Sequence, residues 1–153
     1  AITVEDRRSL MCNVKSLNLL PNCLAKHAAQ KKGVSKAIMV RDNIVTEEKS
    51  GNIFIVKDGV VLTHPNGGKI LPGITKKLII ELLHQHNIPI WEKEFSEEEL
   101  LHADEVMVTD TNSEIVPVIK VNDIIIGNGV RGEITKNIQM LYKSLIEEKC
   151  GKL

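Results

Sequence analysis

Two hydrophobic periods take turns along this chain, and this alternation is the feature that most constrains its fold. Short runs rich in β-branched residues alternate with segments whose apolar residues recur every three or four positions. The first pattern is typical of strands and the second of amphipathic helices. We therefore predict an α+β fold of mixed strands and helices. The 153 residues show no internal repeat and no linker, so we predict one domain over residues 1–153.

Four segments carry the helical pattern. The first follows Asn18, has Leu20, Leu24 and Ala28 at helical spacing, and ends at Gly33. The other three are predicted from near Thr75 to Asn87, from a capping box at Ser96 to about Ala103, and from Thr135 to about Lys149.

The strand pattern is more frequent. The chain opens in a strand-like stretch, and further extended runs are predicted at residues 9–17, 37–40, 44–46, 52–57, 60–63, 105–109 and 115–121. Asp42-Asn43 and Asp58-Gly59 occupy positions where hairpin turns need positive φ. Residues 37–63 are therefore expected to form three or four antiparallel strands.

Charge and cysteine content narrow the function classes. Lys and Arg number 20, as do Asp and Glu, and this balance argues against an electrostatic binder of nucleic acid or membranes. No apolar run approaches the roughly 18 residues that span a bilayer, and the first residues do not resemble a secretion signal. The cysteines Cys12, Cys23 and Cys150 are widely spaced and odd in number, so we expect reduced thiols in a cytoplasmic protein.

A glycine-rich motif near the end has to be weighed against nucleotide binding. Gly127-Asn128-Gly129-Val130-Arg131-Gly132 matches a dinucleotide fingerprint between strand-like and helical residues. The chain ends directly after that helix, before the second strand that would carry the acidic ribose ligand, so we favour a plain glycine-rich connection. The five histidines lack partners at ligand spacing, and no metal site is predicted.

Two short segments could carry chemistry. Alternation places Lys15 on the same face as Met11 and Leu17, a half-apolar setting that can make an amine nucleophilic, although most such lysines extend to water. In Leu71-Pro72-Gly73-Ile74-Thr75, a glycine before a helix start lets backbone N–H groups converge on an anion such as phosphate. An ordinary capped helix after a turn would fit the second segment equally well.

Nearly the whole chain resembles the C-terminal domain of fold-type IV pyridoxal-phosphate enzymes, and most closely that of the D-amino-acid aminotransferases. The most telling stretches are residues 12–24, 41–47, 52–65 and 70–75. Lys15-Ser16-Leu17-Asn18-Leu19-Leu20 is more similar to the D-amino-acid enzymes than to the branched-chain ones.

The resemblance implies a role for each matching residue. Lys15 would be the catalytic residue, forming a Schiff base with pyridoxal 5′-phosphate and moving a proton between Cα and C4′ of the substrate–cofactor adduct. Glu47 would contact the pyridine nitrogen. The remaining cofactor contacts would be Leu71 on the ring, Gly73, Ile74, Thr75 and Thr111 at the phosphate, and Arg8 near the phenolic oxygen.

The resemblance also implies a larger, two-domain homodimeric enzyme whose N-terminal domain is absent from these residues. Such an enzyme would transfer the amino group of D-alanine or similar D-amino acids to 2-oxo acids. The alternatives are a branched-chain aminotransferase, an aminodeoxychorismate lyase, or a non-catalytic binding or assembly domain. Asp110 and residues 48–51 depart from the family pattern, because a carboxylate beside a phosphate is repulsive and the longer side chains could crowd the cofactor.

Overall fold

The computed structural model describes residues 1–151. The helices in this range are α1 (Leu20–Lys31), α2 (Ile74–Gln85), α3 (Glu97–Leu101) and α4 (Glu133–Cys150). The strands are β1 (Ile2–Glu5), β2 (Ala37–Arg41), β3 (Ile44–Glu48), β4 (Asn52–Lys57), β5 (Val60–Thr63), β6 (Ile90–Glu92), β7 (Glu105–Asp110), β8 (Glu114–Pro117), β9 (Lys120–Val121) and β10 (Ile124–Ile125).

The largest sheet has five strands in the order β6-β5-β4-β7-β8. Only the β5–β6 pair is parallel. Successive residues of β4 point to opposite faces, so Phe54 and Val56 join one hydrophobic cluster while Ile53 and Ile55 join another. Helices α2 and α4 cover the first face through Ile79, Leu82, Leu83, Ile138 and Tyr142. The predicted α+β class is confirmed.

A three-stranded sheet in the order β1-β2-β3 lies on the other side of the core. Ile38 of β2 and Val45 of β3 pack with the second face of the large sheet and with Phe95 and Leu100 near α3. The chain passes from β3 into β4 through a tight turn closed by a Glu48–Gly51 bridge. This turn brings the ends of the two sheets together, and the candidate site lies there.

The prediction of a strand at residues 9–17 is wrong. The first strand is β1, which pairs in parallel with β2, while residues 9–17 form turns and irregular backbone. Their alternation finds no neighbouring strand to pair with, and Leu10, Val14 and Leu17 remain exposed. A period-2 pattern yields a strand only where a ladder partner satisfies its backbone groups.

The first predicted helix is present, but its apolar stripe is not its packed face. Leu20 and Leu24 are 67% and 54% exposed, whereas Ala25 and Ala29 are buried against β1 and β2. Small side chains let the helix lie close to the sheet. The exposed leucines continue the apolar surface of residues 10–19.

The later elements agree with the prediction in type and differ in detail. The strand predicted at 115–121 is divided into β8 and β9, with Pro117 at the end of β8, and the three-residue β6 was missed. Helix α2 begins at Ile74, which is 76% exposed instead of sharing the buried face with Ile79. The capping box at Ser96 and Glu99 is confirmed.

In the glycine-rich connection, the side chain of Glu105 fills the space beside Gly132. A Cβ on Gly132 would lie 2.0 Å from the Glu105 carboxyl carbon. The Glu105 carboxylate accepts hydrogen bonds from the backbone N–H groups of Ile134 (3.0 Å) and Thr135 (2.7 Å). An internal carboxylate therefore takes the start of α4, where a dinucleotide phosphate would otherwise bind.

None of the helices within residues 1–151 combines the length and the apolar character that a bilayer crossing requires.

Candidate functional site

A buried carboxylate lies where the two sheets meet. Glu47 stands near the end of β3 and is 6% exposed. One of its oxygens accepts a hydrogen bond from the Arg8 guanidinium. The other accepts from the Asn52 side-chain amide (3.2 Å) and from the Leu71 backbone N–H (3.0 Å). Donors from three separate segments thus converge on one carboxylate.

Arg8 is itself held by a second buried carboxylate. Its Nε lies 2.9 Å from Oδ1 of Asp6, and its Nη2 lies 2.8 Å from Oδ2 of the same residue. The hydroxyl of Thr46 donates to the Asp6 carboxylate (2.8 Å). The Arg41 guanidinium lies 3.2 Å from the same carboxylate. Two carboxylates and two guanidinium groups therefore form one closed network with balanced charge.

The two carboxyl groups of this network differ in acidity. Burial alone would raise the pKa of Asp6, but the hydrogen bonds and charge of Arg8 outweigh it and lower that pKa to about 2. Burial raises the pKa of Glu47 to about 7, because the single Arg8 contact and the Leu71 N–H offset desolvation only in part. Glu47 is thus the group able to exchange a proton or a charged partner near neutral pH.

Asn52 connects Glu47 to the start of α2. Its side-chain amide also donates to the Leu71 carbonyl oxygen (2.9 Å), and its Oδ1 would lie only 2.1 Å from a Cβ placed on Gly73. Residue 73 must therefore be glycine for space, since its φ of −67° suits any residue. Among residues 1–151 no side chain caps α2, so the backbone N–H groups of its first turn remain open to a ligand.

Lys76 anchors the first turn of α2 to the preceding loop. Its ammonium is buried and donates to the His64 carbonyl oxygen (2.7 Å) and to the side chain of Asn66 (3.0 Å). It also reaches Glu92 (3.3 Å). Burial lowers the pKa of Lys76. The lysine therefore ties the first turn of α2, which contains Thr75, to the loop that precedes the helix.

The turn after β7 borders the same region. Asn52 and Thr109 are paired in register, and a Cβ on Gly51 would lie 2.4 Å from the Thr109 carbonyl oxygen. The Thr109 hydroxyl is buried, with no hydrogen-bond partner among residues 1–151. An unpartnered buried hydroxyl here is suited to a ligand.

Asp110 does not point freely into this region. One carboxylate oxygen accepts from the backbone N–H groups of Asn112 (2.8 Å) and Ser113 (2.6 Å), and the other lies 3.1 Å from the Lys36 ammonium. The neighbouring turn of residues 48–51 is likewise closed on itself, because the buried Glu48 accepts from the backbone and hydroxyl of Ser50. Both departures from the family pattern are compensated within the chain.

The structure brings together only part of the predicted set. Arg8 and Leu71 each donate a hydrogen bond to Glu47, and Gly73 lies against Asn52, which also donates to Glu47. Three others lie further along the elements that meet here: Ile74 and Thr75 open α2, and Thr111 is exposed in the turn after β7. Lys15 is exposed in the irregular segment before α1, and no hydrogen bond or ion pair within the described residues links its ammonium to Glu47.

Sequence reasoning missed several residues of this site. These residues are Asp6, Asn52, Thr109 and Lys36. Each has a neighbour at the site that is distant in the chain, namely Thr46, Leu71, Asn52 and Asp110 respectively. The one available signal was chemical: the buried strand positions 52 and 109 carry polar side chains at the ends of apolar runs.

Known proteins match this chain along nearly its whole length. The model of the family Amino-transferase class IV matches residues 2–121. A D-alanine aminotransferase from Bacillus licheniformis is 42% identical over 152 residues, which is 99% of this chain and 54% of that protein. The chain spans about half the length of the curated relatives it matches.

Solved structures have the same fold. A branched-chain aminotransferase from Thermoproteus uzoniensis superimposes with a TM-score of 0.90 at 32% identity, covering 97% of this chain and 51% of that one. An aminotransferase from Brucella abortus, bound to the cofactor PLP, gives a TM-score of 0.86 at 28% identity, covering 94% and 53%. This chain therefore belongs to the class IV aminotransferase family.

Proposed function

We propose that this chain is the C-terminal, cofactor-binding domain of a two-domain D-amino-acid aminotransferase that works as a homodimer in the cytoplasm. The observation that carries the proposal is the buried Glu47 carboxylate, with a pKa near neutrality, inside a chain that is 42% identical to a D-alanine aminotransferase along its length. The whole enzyme would exchange amino groups between D-alanine or similar D-amino acids and 2-oxo acids.

Three features of the structure fit pyridoxal phosphate. Glu47 offers a buried carboxylate that can pair with a protonated ring nitrogen. Gly73 leaves the uncapped first turn of α2, with Ile74 and Thr75, free to receive a phosphate. The unpartnered hydroxyl of Thr109 lies next to Asn52, on the side of the site where Thr111 follows.

The residues would then divide the work. When bound, pyridoxal phosphate supplies a sink for the electrons released at the substrate Cα. Glu47 would hold the ring nitrogen in its charged form, and Leu71 would pack on the ring. Lys15 would hold the cofactor covalently and move the proton at Cα, for which its exposed amine is accessible.

The test is an absorption spectrum of the 153-residue chain incubated with pyridoxal phosphate. Wild type and the control Lys26→Ala, altered at an exposed lysine of α1, should show a visible band that borohydride removes. Lys15→Ala should lack the band, and mass spectrometry should find the reduced adduct on Lys15. An adduct distributed over other lysines, or a band unchanged in Lys15→Ala, contradicts the role given to Lys15.

A wild-type chain without any band points to the alternative of a non-catalytic binding or assembly domain if supplying the missing N-terminal domain in trans does not restore it. A branched-chain aminotransferase is the second catalytic candidate, favoured by the 0.90 TM-score of the Thermoproteus structure. Assays of the longer protein separate the two: D-alanine should be the better amino donor, and a preference for branched-chain amino acids would reverse the assignment.

A further inference from the structure

Asp6 is buried beside the candidate site and is connected to Glu47 through Arg8. Its side chain is fully buried, and it accepts hydrogen bonds from the Arg8 Nε, the Arg8 Nη2 and the Thr46 hydroxyl. Its Oδ1 also accepts from the Arg8 backbone N–H (3.1 Å). The contacts of Asp6 therefore fix Arg8, the strand β3 that carries Glu47, and Arg41 of β2.

The contacts of Arg8 show what this fixation does. A guanidinium has five N–H donors in a rigid plane. Asp6 takes Nε and Nη2 in a fork-to-fork pair, and Nη2 also donates to the Lys69 carbonyl oxygen (3.0 Å). Only Nη1 remains for Glu47. Arg8 is therefore shared between two carboxylates, with the better geometry given to Asp6.

Other charged groups face this pair. Arg41 on β2 contacts Asp6 and also donates to the Arg8 carbonyl oxygen (2.7 Å). Lys76 on α2 attracts Glu47, and the Cys12 thiol faces Arg8 from the segment before α1. None of these groups replaces the fork-to-fork pair by which Asp6 orients Arg8.

We propose that Asp6 is a positioning residue that holds Arg8 by two of its N–H groups, so that Arg8 cannot close a bidentate pair with Glu47 and Glu47 keeps an acceptor position for a cationic ring nitrogen. A carboxylate has about four acceptor positions, and Arg8, Asn52 and Leu71 use three of them. The inference rests on the proposed cofactor role of Glu47, but its main test does not require the cofactor.

The test is the titration of Glu47 in the cofactor-free chain, followed by NMR on ¹³C-labelled glutamate side chains, with Glu47→Gln to assign the resonance. Asp6→Asn keeps the shape of the side chain and removes a charge that by itself raises the Glu47 pKa. The same substitution in an Arg8→Gln background measures this charge effect alone. With Arg8 present and able to turn to Glu47, the Glu47 pKa should fall by about one unit more than in that background. The matched control Asp104→Asn alters a half-exposed aspartate paired with Lys57 and should leave the titration unchanged.

A purely structural role would give a different result. Asp6→Asn would then lower the Glu47 pKa by the same amount with and without Arg8, and this outcome would overturn the proposal. If cofactor binding fails even with the N-terminal domain supplied in trans, while the Glu47 pKa still falls further in the presence of Arg8, the proposed function is contradicted and the positioning role stands.

A measurement on the wild type covers the case in which Asp6→Asn does not fold. Lowering the pH from 8 to 5.5 protonates Glu47, whose pKa is about 7, while Asp6, whose pKa is about 2, stays ionised. The Arg8 Nε–H resonance should stay protected from exchange throughout, because Asp6 holds that group. Loss of its protection as Glu47 becomes protonated would show that Glu47, and not Asp6, orients Arg8.

Discussion

At single residues, the close approach of a neighbouring side chain can restrict which amino acid fits, and Gly73 is an example. Its backbone conformation is open to any residue, but the space for a side chain is already taken by the Asn52 amide. That amide also donates hydrogen bonds to Glu47 and to the Leu71 carbonyl oxygen. The absence of a side chain at residue 73 therefore leaves room for the contacts that hold the site together. A glycine in this place is required by packing and not by φ.

Gly73→Ala is therefore expected to destabilise the chain by roughly 1–3 kcal/mol, the usual cost of overpacking. The loss is measured by urea unfolding, with Gly67→Ala as control because a Cβ on Gly67 meets open space. Combining Gly73→Ala with Asn52→Ala removes the clash, so the double variant should be about as stable as Asn52→Ala alone. Additive losses would show that the clash with Asn52 is not the cause.

Among the elements, α4 is the clearest case of a helix secured from outside itself. Its N-cap is Gly132, which offers no side chain, and the Glu105 carboxylate of β7 fills that place. The same carboxylate accepts from the Thr135 hydroxyl (2.6 Å). One residue thus caps the helix, complements its dipole and joins it to the central sheet.

Glu105→Gln replaces one of the two acceptor oxygens by an amide donor and removes the charge. We expect a loss of about 1–3 kcal/mol and faster hydrogen exchange at the N–H groups of Ile134 and Thr135. Glu114→Gln, at an exposed position of β8, is the control and should change stability by less than about 0.5 kcal/mol. Unchanged exchange in Glu105→Gln would mean that water satisfies the start of α4 equally well.

At the scale of the whole molecule, an apolar surface extends over residues 10–24. Leu10, Met11, Leu17, Leu20 and Leu24 are all exposed, and Leu17 is 96% accessible. Exposed apolar surface of this extent favours association, because burial removes it from water. The same residues flank Lys15 in the chain.

The chain is therefore expected to associate as its concentration rises, which light scattering would detect. Replacing Leu17 and Leu20 by serine should shift the equilibrium toward the monomer. Ile125→Ser serves as control, since Ile125 is 63% exposed at the distant β10. A wild type that stays monomeric over the whole range, or a control with the same effect as the double variant, would contradict this account.

By itself, the sequence determined the structural features that depend on residues close together in the chain. The helices after Asn18 and at residues 75–87, the hairpin strands, and the Ser96 capping box follow from periodicity and from local hydrogen bonding, which act over a few residues. The resemblance predicts roles for Lys15, Glu47 and Gly73 in the same way, because motifs are local.

The tertiary structure alone decided what depends on residues far apart. Residues 9–17 carry a strand pattern but find no partner strand, and Leu20 stays exposed because Ala25 and Ala29 allow the closer approach to the sheet. Asp6 and Asn52 become part of the site only when folding places them against Arg8, Glu47 and Leu71. Burial and charge pairing are properties of the assembled core, and no short segment contains them.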